Sequence, residues 1–172
     1  MNISELDDFA FKYPTYILVA GGIGVGKSHV LSKYISKIPI VDIDNEIAKL
    51  ALSYTHENLL IARKSINKKI DFLKANHESF VAMGTAADTA FTINRLLWAR
   101  DDNFHTVLLH ITCPVEQAIS QNEQRRNQGR RAVPIEDEYL ITRTATESAV
   151  TVSIVSPTDL VDHYIHYDNT RI

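Results

Sequence analysis

One cysteine, Cys113, stands in 172 residues. That excludes an intrachain disulfide and any zinc cluster built on cysteine pairs, and makes a reducing compartment the expectation. No apolar run approaches the length of a transmembrane helix. The first fourteen residues, MNISELDDFAFKYP, carry acids where a signal peptide carries bases. A cytoplasmic protein without a membrane partner is expected. Charge of one sign is also scarce: the net charge of -3 gives no global attraction for nucleic acid, although a local basic patch can still exist. No repeat, low-complexity tract or Pro/Gly/Ser-rich linker divides the chain, so a single domain over 1–172 is expected. An apolar fraction of 45% suits a soluble globular core of that size.

Against that background one stretch stands out, Tyr16 to Val30, YILVAGGIGVGKSHV. Tyr16, Ile17, Leu18, Val19 and Ala20 form a short continuous apolar run, as in a strand buried on both faces of a parallel sheet. Gly21 to Ser28 then complete G-x-x-x-x-G-K-S, a phosphate-binding loop placed between a strand and a helix. Glycines there let backbone N–H groups point inward, and the helix beginning near Gly26 aims its positive end at the same point. ATP is expected on Gly22, Ile23, Gly24, Val25, Gly26, Lys27, Ser28 and His29. Lys27 neutralises the outer phosphates and the Ser28 hydroxyl holds Mg²⁺.

The remaining chain alternates helix and strand. A short amphipathic helix with Ile3, Leu6, Phe9 and Ala10 is expected to pack on the sheet edge. Val30, Leu31, Tyr34, Ile35 and Ile38 line the helix after the loop. A second strand, Pro39 to Ile43, leads into helical pattern from Glu46 to about Ala75, broken near Thr55-His56. Arg63, Lys64, Lys68 and Lys69 read as a solvated face. Strands are expected at Ser79 to Met83, His105 to Thr112 and His163 to Tyr167, with helices between them. Trp98 and His110 are expected in the core. The fold class is therefore α/β: a P-loop NTPase fold with a five-stranded parallel sheet, helices on both faces and an arginine-rich lid. Strand C-terminal ends then meet the loop, bringing Asp42, Asp44, Thr85, Cys113 and Asn169 to one edge.

Neither strand three nor strand four ends in the aspartate that switch-type and motor-type nucleotidases place there, and no N-K-x-D motif occurs. The acids lie instead at Asp42 and Asp44. If the strand alternation runs through both, Asp44 sits farther toward the active edge as general base, with Asp42 supporting it or contacting substrate. The competing reading is that Asp44 or Asn45 caps the next helix. Four arginines, Arg125, Arg126, Arg130 and Arg131, fall within a lid at about 124–134, with Gly129 as a hinge. Planar guanidinium groups suit the charge of a transferring phosphoryl group, while a solvated basic turn or a nucleic-acid contact is the alternative.

The order GGIGVGKS, VDIDNE, a strand ending in G-T, then ITCP and RAVP resembles the zeta-toxin group of P-loop kinases. More loosely it resembles the polynucleotide-kinase and small-metabolite kinases around them. The resemblance implies Asp44 as base, Lys27 and Ser28 for ATP and Mg²⁺, and a substrate-loop role for Gly84 and Thr85. It also implies phosphate contacts from Arg131 and Arg125, and Asn169 in a loop beside adenine. Met83 and Ala86 to Asp88 stand where zeta toxins carry an acid and an arginine on the UDP-N-acetylglucosamine side. The expected activity is transfer of the ATP γ-phosphate to a hydroxyl of a sugar nucleotide, nucleoside or metabolite. The alternatives are a polynucleotide 5′-hydroxyl kinase, and a nucleotide-binding, toxin-like protein that acts through an inhibitor or antitoxin partner without transfer.

Overall fold

The computed structural model describes residues 1–50, 55–127 and 138–170. Their organising strand is β1 (Thr15–Ala20), buried at every position, as its unbroken apolar run requires. It lies in the middle of a five-stranded sheet. On one side β1 pairs with β3 (Phe80–Met83), Tyr16 beside Phe80, and β3 pairs in turn with β2 (Ile40–Val41). On the other side it pairs with β4 (His105–Thr112), which pairs with β5 (His163–Asp168). Every pairing is parallel, in the order β2-β3-β1-β4-β5. The expected α/β architecture is present.

Strand alternation divides the core into two layers. Ile17, Val19, Val107, Leu109 and Ile111 face α1 (Ile3–Lys12) and α2 (Lys27–Tyr34). Tyr16, Leu18, Phe80, Ala82 and Leu108 face α4 (His56–Ala75), α5 (Thr89–Asp101) and α7 (Glu138–Val155). Each fully buried Leu, Ile or Phe contributes about 1.5–3 kcal/mol, so both faces must be covered for strands this apolar to persist. α3 (Ile43–Lys49) and α6 (Val115–Asn127) flank the phosphate-loop edge. The helical break expected near Thr55-His56 is real: Thr55 caps α4, its hydroxyl accepting the Asn58 N–H at 3.2 Å. Arg63, Lys64, Lys68 and Lys69 are exposed, as a solvated face should be. His110 is buried in β4, and burial, with the neighbouring His166, pushes its pKa down to about 4. Trp98 is only half-buried, packing on the second layer.

Two expectations need correction. α1 does not sit on the sheet edge but lies over a face beside α2, because Leu6 and Ala10 need an apolar surface and the central strands offer the widest one. β2 does not reach Ile43 either. It pairs over Ile40 and Val41 alone, because Asp42 leaves the ladder to cap α3, its carboxylate accepting the Asp44 N–H at 3.2 Å. The cap is thus Asp42, not Asp44 or Asn45, and Asp44 belongs to a helical turn.

Asp7 ties α1 to the chain after α2. Its buried carboxylate accepts the Ser36 N–H and hydroxyl at 2.9 Å each and the Lys37 N–H at 3.0 Å. Asp7→Ala leaves those donors without an acceptor and should cost about 2–3 kcal/mol in urea denaturation. A loss below about 0.5 kcal/mol would show that water replaces the carboxylate there.

Candidate active site

β1 ends at Ala20 and the chain enters a loop gripped from several sides. The Gly21 N–H donates to the Thr85 carbonyl at 3.2 Å, joining the loop to the segment after β3. Ile23 N–H donates to the Thr144 hydroxyl of α7 at 3.1 Å. The Val25 carbonyl accepts from the Asn169 side-chain amide at 2.9 Å. The glycines of the loop are sterically required. A Cβ on Gly22 would lie 2.9 Å from the Ala145 backbone of α7, and Gly26, at φ +85, would place one 2.4 Å from Asn169 Nδ2. Gly26 is the N-cap of α2, so the first-turn N–H groups of that helix open beside the loop, as an anion site requires.

Lys27 is half-buried and turns back into the loop, donating to the Gly21 and Gly22 carbonyls at 2.8 Å each. Burial pushes its pKa down to about 8, the charge of Arg125 adds to the effect, and Asp42 and Cys113 oppose it. An ammonium in this state gains from a polyanion, which is the property a polyphosphate site needs. The glycine loop and Lys27 therefore fit a nucleotide polyphosphate, with the exposed Ser28 and His29 in the helical turn beside it.

The expected convergence is present for Asp42, Thr85, Cys113 and Asn169. Asp42, Cys113 and Arg125 lie within the electrostatic reach of Lys27. Asp44 is half-buried, in the first turn of α3, and hydrogen-bonded through its N–H to Asp42. Gly84 extends the β3 ladder, its N–H on the Val19 carbonyl at 3.2 Å, and Ala86 follows at φ +53. A residue with a Cβ pays about 1–2 kcal/mol for that left-handed conformation, so the turn after Thr85 is held by its surroundings. Met83 packs against the first core layer. Residues 124–127 of the expected lid form the end of α6, and Arg125 lies there, half-buried. Arg130, Arg131 and the hinge Gly129 lie outside the described residues.

Four contributors are not legible as site residues in the sequence. Thr144 and Ala145 supply the surface against which Gly22 and Ile23 settle. Ala118 of α6 would meet a Cβ on Gly24, its carbonyl only 2.6 Å away. Gln117 donates to the Asn169 carbonyl at 2.8 Å and so holds the residue that holds Val25. The small residues of T-A-T-E-S-A, residues 144 and 145 among them, are the one available signal of a close approach.

No protein-family model matches the chain, and no curated protein matches it in sequence. Solved structures do. A chain from the PezAT chromosomal toxin-antitoxin system of Streptococcus pneumoniae superposes with a TM-score of 0.65 at 14% identity, over 91% of this chain and 69% of that one. A Chloroflexus aurantiacus protein described as a kinase gives 0.63 at 14%, over 92% and 89%. A chain of the AvrRxo1-ORF1:ORF2 complex with ATP gives 0.67 at 14%, over 96% and 62%. The fold is that of the P-loop kinases.

Polyphosphate binding favours the charged form of Lys27, whose pKa in the free protein is about 8 against an ordinary 10.5. Below about pH 7 the ammonium is already charged; above pH 8 the neutral amine dominates and binding must take up a proton. The Kd for ATP should therefore rise with pH above about 8, approaching tenfold per pH unit. Calorimetry at pH 8.5 in buffers of different ionisation enthalpy should show net proton uptake. Binding with no proton exchange would mean that Lys27 does not meet the phosphates.

Proposed function

We propose that this chain is an ATP- and Mg²⁺-dependent kinase of a small hydroxyl-bearing acceptor, its arginine-rich lid spanning about 124–134 of a single domain. The observation that carries the reading is the corner where Asp42 and Arg125 both act on Lys27, beside Asp44 and the N-terminus of α2. Acid, anion-binding cation and guanidinium are the three parts that phosphoryl transfer to a hydroxyl demands.

In this reading Lys27 and the loop N–H groups hold the outer phosphates, and the Ser28 hydroxyl is a ligand for Mg²⁺. A metal held there would supply positive charge against the phosphates. Asp44 accepts the proton of the attacking hydroxyl. Asp42 keeps one oxygen on the α3 cap and places its charge near Lys27. Arg125, joined by Arg131 from the lid, stabilises charge on the transferring group. Gly84 and Thr85 line the acceptor side, and Asn169, which fixes Val25, borders the adenine of ATP. The acceptor is a sugar nucleotide, nucleoside or metabolite. A structural neighbour from a toxin-antitoxin system supports a protein inhibitor as a further partner.

The test is transfer of labelled γ-phosphate to a panel of UDP-sugars, nucleosides, amino sugars and 5′-hydroxyl oligonucleotides. Asp44→Asn should lower kcat by about 10²–10⁴ with ATP binding retained, and Lys27→Ala should abolish transfer. Asp42→Asn keeps the cap, since Asn caps as well as Asp, and should cost at most about tenfold. A full rate in Asp44→Asn removes the base assignment, and labelling of the oligonucleotides alone makes the enzyme a polynucleotide kinase. ATP binding without transfer to any acceptor, even water, leaves a binding protein.

A further inference from the structure

A second cavity, of about 360 Å³, opens between α4 and α5 over the N-terminal ends of β1 and β3. Tyr16 lies five residues before Gly21 along an extended strand, about 16 Å from the glycine loop. The site is therefore separate from the one above. Its walls mix aromatic rings with polar side chains, Asn67 and Asn94 among them: Phe80 and Trp98 pack edge-on against Tyr16, with ring centroids at 5.2 and 5.5 Å, and Phe91 stands at the mouth, 57% exposed.

At its floor is a polar group that the fold does not satisfy. Tyr16 is 1% exposed, yet its hydroxyl has no hydrogen-bond partner among the described residues. Leaving such a group unpaired costs about 1–3 kcal/mol, and a purely structural position would be filled by Phe. Burial pushes the Tyr16 pKa up to about 12, so the hydroxyl keeps its proton and can donate. The Arg95 guanidinium is close enough to act on that hydroxyl, and its other contact is the Phe91 ring, 5.0 Å from the centroid. The hydroxyl is covered, so an incoming oxygen reaches it only when the half-buried Arg95 side chain turns aside.

The remaining charges narrow the ligand. Lys74 is engaged, at 3.3 Å from Asp102 and 4.0 Å above the Trp98 ring. Asp71 lines the same cavity and opposes a doubly charged anion. A hydroxyl donor beside one planar guanidinium matches the two in-plane oxygens of a carboxylate, and the aromatic walls match a flat apolar body. The volume falls within the range of small-molecule sites. We propose that this cavity binds a small aromatic carboxylate, its carboxylate held by Tyr16 and Arg95 and its ring against Phe91 and Trp98.

The protein has one tryptophan, Trp98, and it lines this cavity, so its fluorescence reports occupancy directly. Titration of the full chain with benzoate should give a saturable change, with no such change from benzamide or inorganic phosphate. Tyr16→Phe removes only the hydroxyl, should leave the melting temperature unchanged or higher, and should weaken benzoate at least tenfold. Arg95→Met should do the same, and if it does not fold, Tyr16→Phe alone decides. ATP affinity should be unaltered in both. The proposal is overturned by any of three results: no saturable change with benzoate, an equal response to benzamide, or unchanged benzoate affinity in a folded variant.

Discussion

The structure depends on holding a cation inside a loop of backbone. Lys27 donates to the Gly21 and Gly22 carbonyls, and that geometry exists only while the loop stays closed around it. Closure is not a property of the loop alone. Thr85, Thr144 and Asn169 each take one backbone group, and Ala118 and Ala145 come so near that side chains at Gly24 and Gly22 would collide with them. The result is a half-buried ammonium whose pKa is depressed to about 8, by burial first and by the charge of Arg125 second. A charged form less favoured than in water is the electrostatic counterpart of a site prepared for phosphate.

The parallel sheet explains why the two ends of the molecule differ. Right-handed crossovers deliver every strand's C-terminal end to one edge, where backbone groups leave the ladder and are free to bind. Asp42, Thr85, Cys113 and Asn169 reach the loop by that rule. At the opposite edge the strands begin with Tyr16 and Phe80, buried rings above which a cavity opens between α4 and α5. The same topology thus sets a polar, charged corner at one end and an aromatic cavity at the other. Their separation along β1 means that each can be altered without dismantling its counterpart.

The short pairing of β2 shows local and global demands in competition. Alternation along a strand running to Ile43 would send Asp42 and Asp44 to one side. The backbone instead turns at Asp42, because an unsatisfied helix N-terminus needs an acceptor and an aspartate supplies it. Asp42 still acts on Lys27, as the cap, and Asp44 follows it as a helical residue. α1 differs from expectation for a comparable reason. Its apolar stripe is readable in the sequence, yet the surface that receives it belongs to strands distant in the chain.

Legible in the sequence alone were the glycine loop, the alternating α/β order, the strands β1, β3, β4 and β5 to within a residue or two, and the approach of Asp42 and Arg125 to Lys27. These are short-range properties: an apolar run, a spacing of glycines, a cap or a charge cluster is written within a few neighbouring residues. Only the tertiary structure decided what closes the loop and what lies beneath Trp98. Ile23 and Thr144 are 121 residues apart and Val25 and Asn169 are 144 apart, yet each pair shares a hydrogen bond. Tyr16 reads in the sequence as one more apolar strand residue. Its unpaired hydroxyl appears only when α4 and α5 pack over it, because satisfaction of a polar group depends on every atom around it and not on its neighbours in the chain.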